Sequence, residues 1–196
     1  MSKIDGNKEK KERAIYSAAY KLFTEIGINN VTVSNITKQA GVAKGTFYLY
    51  FKDKYSLMDK IIVKKSFELL LEAYNITKDK EFYDYNERVI FFIDFIVDSL
   101  KENRVLLKLL HKNLSWGMFN QAVDNKMITK IINELIHELY GDKIDNKMSE
   151  LNFYRTLFMI IELTSSVCYH SIIEEKPAKI DEMKPLLLNV IKKILL

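Results

Sequence analysis

The sequence predicts an all-α fold, and three observations carry that reading. Only six glycines and two prolines occur in 196 residues, so turn-rich β architecture lacks its punctuation. Apolar residues recur at helical spacing along most of the chain, and no convincing strand pattern interrupts them. Hydrophobic residues make up 48% and charged ones 29%, which supports a packed core and argues against disorder. The length leaves room for one or two domains.

The elements follow in order. A first helix is predicted from about Lys8 to Glu25, with Ile15, Ala18, Ala19, Leu22, Phe23 and Ile26 on one face and Gly27 past its end. A second, short helix starts at Thr32, whose hydroxyl can accept a hydrogen bond from a free N–H of the opening turn. Val33, Ile36 and Ala40 share one face of it, leaving Ser34, Asn35, Lys38 and Gln39 on the other. Gly41 stands where this helix must stop, since glycine takes the left-handed conformation without steric cost. Val42 plugs the corner, and Ala43-Lys44-Gly45-Thr46 opens a third helix. Phe47 and Phe51 point inward, which leaves Lys44, Thr46, Tyr48 and Tyr50 facing out. Asp53 caps a fourth helix beginning near Tyr55, and Leu57, Ile61, Ile62, Phe67, Leu70 and Leu71 continue it as one rod.

Beyond a polar loop at 75–84, helices are expected at about Tyr85–Lys101, Val105–Leu114, Asn120–Tyr140, Ser149–Glu174 and Met183–Leu195. The breaks fall at Asn103, 115–117, 141–146 and 176–181, with Pro185 near the start of the last helix, where its missing N–H does little harm. The runs Phe91–Val97 and Leu157–Leu163 are apolar nearly all round, a pattern of helices buried on most sides.

The segment Thr32–Lys54 has the geometry by which a protein pushes one helix into the DNA major groove. A face of lysine, hydroxyls and tyrosines makes a poor core and suits phosphates and base edges. The alternative is an ordinary helical hairpin. Here the sequence resembles the helix-turn-helix of the tetracycline-repressor (TetR) family of bacterial transcription regulators. The matching residues are Thr32, Ile36, Ala40-Gly41-Val42, Lys44-Gly45-Thr46, Phe47-Tyr48, Tyr50-Phe51, Lys52-Asp53-Lys54 and Leu57, with Ala18-Ala19, Leu22-Phe23 and Gly27 upstream. Two positions depart from commoner versions: Ala43 stands where serine is frequent and Tyr50 where histidine is frequent. Both bear on which operator is read. The DNA-contacting set expected from motif and resemblance is Thr32, Ser34, Ala43, Lys44, Gly45, Thr46, Tyr48, Tyr50 and Lys54.

Charge distribution agrees. The chain carries a net +4, but residues 1–65 hold 13 Lys/Arg against 6 Asp/Glu, whereas the remainder holds 17 against 20. Basic charge therefore concentrates with the helix-turn-helix, as a DNA footprint requires. Lys3, Lys8, Lys10 and Lys11 read as a solvated lysine-rich tail; Lys38, Lys44, Lys52 and Lys54 do not. The polar N-terminus shows no secretory signal, and the runs Val89–Val97 and Leu157–Ile161 are too short or too interrupted to span a bilayer. Cys168, the single cysteine, excludes an internal disulfide and reads as an inert buried thiol, so a cytoplasmic location is expected.

The resemblance implies an N-terminal three-helix DNA-binding domain at 1–52 and a helical effector-binding and dimerisation domain at 53–196. The last two helices would pair with those of a second copy. A homodimer would set two recognition helices about 34–36 Å apart on a near-palindromic operator. The implied function is a ligand-responsive transcriptional regulator, a repressor released when a small, largely apolar effector displaces helix four. Candidate pocket residues are Phe92, Phe95, Trp116, Phe119, Tyr154, Phe158 and Tyr169, with His111 or Glu162 as polar anchors. Glu162, amid Ile160, Ile161 and Leu163, would balance a cationic effector or else occupy a surface or interface. No cofactor, metal or catalytic residue is expected: His111, His137 and His170 lie far apart, and no phosphate-cradling loop or nucleophile elbow occurs. A non-transcriptional DNA-binding module using the same head is the remaining alternative, separable by salt dependence and sequence preference.

Overall fold

Helix α1 (Lys3–Ile26) begins five residues ahead of the start expected from periodicity. The computed structural model describes residues 3–78, 80–113 and 147–195, and every regular element among them is helical. A turn of 3-10 helix (Ile28–Asn30) leads into α2 (Val33–Ala40) and α3 (Lys44–Tyr48), followed by α4 (Lys54–Lys78), α5 (Tyr85–Glu102) and α6 (Arg104–Asn113). Beyond the undescribed stretch come α7 (Lys147–Tyr169), which widens into a π-helical turn at His170–Glu174, and α8 (Ile180–Leu195). The expected helix at 120–140, with its flanking breaks, lies outside the described residues.

The chain divides into two compact units, Met1–Lys64 and Lys65–Leu196. In the first, Ile15, Ala18, Ala19 and Phe23 of α1 bury with Val31, Ile36, Phe47 and Phe51. The opening turns of α4 join this core through Leu57, Met58, Ile61 and Ile62. Polar contacts reinforce the join: the Tyr16 hydroxyl donates to the Ile61 carbonyl at 3.2 Å. Asp53 starts α4 by reciprocal capping, its carboxylate accepting from the Ser56 N–H at 2.7 Å while its own N–H donates to Ser56 Oγ at 3.1 Å. That backbone bond holds the Asp53 carboxyl below its ordinary pKa, so the cap acts at neutral pH and is lost as pH falls through the carboxylate range.

In the second unit, Ile93, Val97 and Leu100 of α5 recur on one face and bury with Leu106, Leu107 and Leu110 of α6. Ile160 and Cys168 of α7 and Ile180, Leu187 and Ile191 of α8 are buried with them. Burial pushes the Cys168 thiol up to about 12, which keeps it protonated and unreactive. A charged seam ties α8 to α5: Lys184 Nζ lies 2.8 Å from Asp94 and 2.7 Å from Asp98, and Lys101 lies 2.6 Å from Asp181. Partial burial works against the Lys184 charge, but the two carboxylates outweigh it and raise its pKa. The seam therefore contributes at neutral pH and weakens as pH rises through the lysine range.

Two expectations need correction. Helix α4 runs to Lys78, so the loop begins later than residue 75; the buried Thr77 hydroxyl bonds back to the Ala73 and Tyr74 carbonyls and continues the helix. Helix α8 starts at Ile180, which puts Pro185 inside it and removes the backbone bond its N–H would have made to Asp181. The stretch Arg155–Glu174 is long and apolar enough, by length and composition alone, to cross a bilayer. It packs against α5, α6 and α8 within its unit and carries Glu162.

Gly41 (φ 67°, ψ 34°) closes α2 in the left-handed region, and no heavy atom stands within 4 Å of where a Cβ would sit. The penalty for a side chain is thus conformational alone. Gly41→Ala is expected to lower unfolding stability by about 1 kcal/mol, and Gly41→Asn by less, in urea titration. Lys184→Ala should cost about 1 kcal/mol by the same measurement, the difference shrinking in high salt.

Candidate nucleic-acid interface

The hairpin is built from its ends. Thr32 caps α2: its hydroxyl accepts from the Asn35 N–H at 3.1 Å, and its own N–H donates to Asn35 Oδ1 at 2.9 Å. Asparagine here fills the place usually taken by glutamate or glutamine in a capping box. At the other end the Val42 N–H donates to the Thr37 carbonyl at 3.0 Å and the Gly41 N–H to Lys38 at 3.3 Å, a Schellman closure. These bonds fix the corner from which α3 departs. Phe47 then locks α3 in place, fully buried against Phe51 with ring centroids 5.6 Å apart.

What α3 leaves outside is polar or small. Ala43, Lys44 and Gly45 are exposed, Thr46 is half-buried, and Tyr48 is 54% exposed. Ser34 and Lys38 on α2, and Lys52 after α3, are exposed as well. Leu49, which sequence reasoning passed over, is 79% exposed beside Tyr48. Gly45 is informative. It sits in helical backbone, where glycine costs up to about 1 kcal/mol relative to alanine. Yet a Cβ built on it meets nothing within 4 Å. No internal contact requires glycine here; a surface approaching from outside would.

Two members of the expected set are occupied within the chain. The Lys54 ammonium donates to the carbonyls of Ile28 and Val31 at 2.8 Å each and to Asn29 at 3.5 Å. Its three donors are spent on the end of the 3-10 turn, so Lys54 staples the start of α4 to the α1–α2 connection. Tyr50 is half-buried and its hydroxyl donates to the Lys8 carbonyl at 3.2 Å. Charge and motif alone could not reveal either partner, because both lie more than twenty residues away in sequence.

The second unit holds part of the expected effector set. His111 and Tyr169 stack face to face, centroids 3.9 Å apart at 12°, joining α6 to the end of α7. His170 stands edge-on to both rings, and its Nδ1 lies 2.8 Å from Glu174 Oε2. Two histidines remote in sequence thus meet, though no group of three metal-ligating side chains occurs among the described residues. Phe92, Phe95 and Phe158 are half-buried. Glu162 is exposed, on the face of α7 opposite Thr164, Cys168 and Ser171. Trp116, Phe119 and His137, and the side chain of Tyr154, lie outside the described residues. The Thr164 and Ser171 hydroxyls, which the sequence did not single out, are buried with no hydrogen-bond partner among the described residues. Such hydroxyls suit a polar atom of a bound molecule.

Comparison with known proteins meets this geometry. A family model described as "Bacterial regulatory proteins, tetR family" matches residues 15–61, the stretch from buried Ile15 to buried Ile61. An HTH-type transcriptional regulator of Staphylococcus aureus (strain USA300) is 24% identical over 183 residues, covering 93% of this chain and 92% of the relative. Among solved structures, the fatty acid degradation regulator FadR of Bacillus halodurans aligns with TM-score 0.64 and 20% identity over 93% of this chain and 94% of its own. FadR of Bacillus subtilis, in complex with stearoyl-CoA, aligns with TM-score 0.63 and 21% identity over 92% and 97%.

Gly45→Ala separates folding from binding. It should raise unfolding stability by about 0.5–1 kcal/mol while weakening DNA binding in a gel-shift titration. Lys54→Met should instead lower stability by about 1–2 kcal/mol in urea unfolding, because three carbonyls lose a charged donor.

Proposed function

We propose that the chain is a regulator of the TetR family, whose model matches its residues 15–61, and that it acts as a ligand-responsive repressor, released from a near-palindromic operator when a small, largely apolar effector binds its C-terminal domain. It is a DNA-binding regulator of that family and not an enzyme. DNA binding is assigned to the domain at 1–52, and effector binding and dimerisation to 53–196. The observation that carries the DNA half is an exposed α3 whose glycine has no internal purpose. Lys44 and Thr46 are assigned to base edges, Tyr48, Ser34 and the small Ala43–Gly45 backbone to close approach and phosphates, and Thr32 to setting α2. Lys54 serves mainly by stapling the start of α4 to the turn ahead of α2, and Tyr50 by its bond to the Lys8 carbonyl of α1.

Dimerisation draws on an apolar surface that one chain leaves uncovered. Leu186, Val190 and Ile194 form an exposed stripe on α8, alongside the buried Ile180, Leu187 and Ile191, and Met159 is 53% exposed on α7. Pairing of these two helices with a second copy would bury that stripe, and Glu162 would lie at its edge. The effector would meet Phe92, Phe95, His111, Phe158 and Tyr169, with Trp116, Phe119 and Tyr154 as further candidates. Thr164 and Ser171 take the anchoring role first considered for Glu162. The stearoyl-CoA held by the Bacillus subtilis neighbour supports an effector with a long apolar part. Helix α4 contributes residues to both compact units, so an effector that prefers one α4 position would change operator affinity by its differential binding energy. A cytoplasmic site of action accords with this role.

The test is mass in solution together with footprinting. A dimer protecting two half-sites about one helical turn apart is expected; a monomer protecting one half-site would sink the proposal. Tyr48→Ala should weaken binding to all sequences, whereas Lys44→Ala and Thr46→Ala should shift the preferred sequence in a selection from random DNA.

A further inference from the structure

The basic segment ahead of the helix-turn-helix reads as solvated tail from sequence, yet the structure makes it helix and gives it an anchor. Helix α1 starts at Lys3, twelve residues before its first buried core residue, Ile15. On the face that carries Ile15, Ala18, Ala19 and Phe23, the positions one and two turns earlier are Lys11 and Lys8. The stripe changes from apolar to lysine where the core ends, and residues 6–11 are all exposed.

This extension is not left to drift. The Tyr50 hydroxyl donates to the Lys8 carbonyl at 3.2 Å across 42 residues of sequence. Tyr50 follows α3 by two residues, so the bond holds the lysine turns within one tyrosine side chain of the exit of the recognition helix. A helical carbonyl has a second lone pair beyond its i+4 partner, so the contact costs α1 nothing. Of the charges in this stretch, Glu9 is drawn to Arg13 at 3.5 Å, while Lys8, Lys10 and Lys11 have no carboxylate within ion-pair distance among the described contacts.

We propose that the first turns of α1 form a second DNA contact: Lys8, Lys10 and Lys11 bind backbone phosphates flanking the groove entered by α3, and Tyr50 is the positioning residue that holds them there. The inference rests on the DNA-binding reading and adds to it a sequence-independent component supplied by a different element. Its signature is salt dependence, since each phosphate neutralised steepens the logarithmic salt slope by about 0.9.

The experiment is fluorescence-anisotropy titration of the full chain on operator and scrambled duplexes across a salt series. The variants are Lys8→Gln/Lys10→Gln/Lys11→Gln, Tyr50→Phe, and Lys21→Gln as a control on the far part of α1. The triple variant should lose about two to three units of salt slope, so that its affinity falls roughly 16- to 60-fold less than wild type between about 50 and about 200 mM salt. It should weaken on both duplexes alike, leaving their affinity ratio unchanged. Tyr50→Phe should lose part of the same slope while keeping its unfolding midpoint, a combination a purely structural role would not produce. Lys21→Gln should match wild type. A wild type that binds operator while the triple variant shows the same slope and affinity would overturn this inference alone. A wild type that binds neither duplex would overturn the DNA-binding reading and the inference with it.

Discussion

Burial of Phe47 is the constraint on which the N-terminal unit depends. A five-residue helix has no stability of its own, because nucleation costs more than so few hydrogen bonds return. Removing the Phe47 ring from water contributes on the order of 2–3 kcal/mol, enough to hold α3 against the α1 and α4 side chains that complete the core. Everything α3 presents outward inherits its position from that one inward residue. The Schellman closure at Gly41 sets the angle, and Phe47 sets the depth.

Around this anchor the chain uses polar contacts to fix geometry rather than to add bulk stability. Thr32 with Asn35, Asp53 with Ser56, and Lys54 with three carbonyls each terminate or join a helix. All three lie between Ile28 and Ser56, so the hairpin is clamped at its start, its end and its base. The second unit shows the same economy on a larger scale, with an ion-pair seam along α5 and α8 and an apolar core between them. Its outer stripe on α8 is the one large apolar surface on that helix that the single chain does not use.

The distance of partners along the chain decided what could be read early. The cap at Thr32, the glycine stop at Gly41 and the inward side of Phe47 and Phe51 follow from patterns spanning about two helical turns, and all stand where periodicity and turn chemistry put them. Lys54 read as a phosphate contact because it is basic and follows the motif. Its partners at Ile28, Asn29 and Val31 belong to a turn brought near only by folding. Tyr50 and Lys8 are the same case in reverse, two exposed-looking residues that find each other. His111 and His170 looked unrelated at a separation of 59 positions, and helix packing sets them edge to face at 5.8 Å.

Local chemistry thus established the all-α class, the helix-turn-helix pattern, the direction in which α3 faces, and the basic bias of the N-terminal third. These are consequences of spacing, capping and charge, which act over a few residues and are written in order along the chain. Folding alone decided which lysines remain available and which hold the structure together. It also decided that Glu162 turns outward while Thr164 and Ser171 turn inward, and that a lysine-rich leader becomes an anchored helix. Each depends on a side chain meeting a backbone or a ring from a remote element, and sequence order carries no record of that meeting.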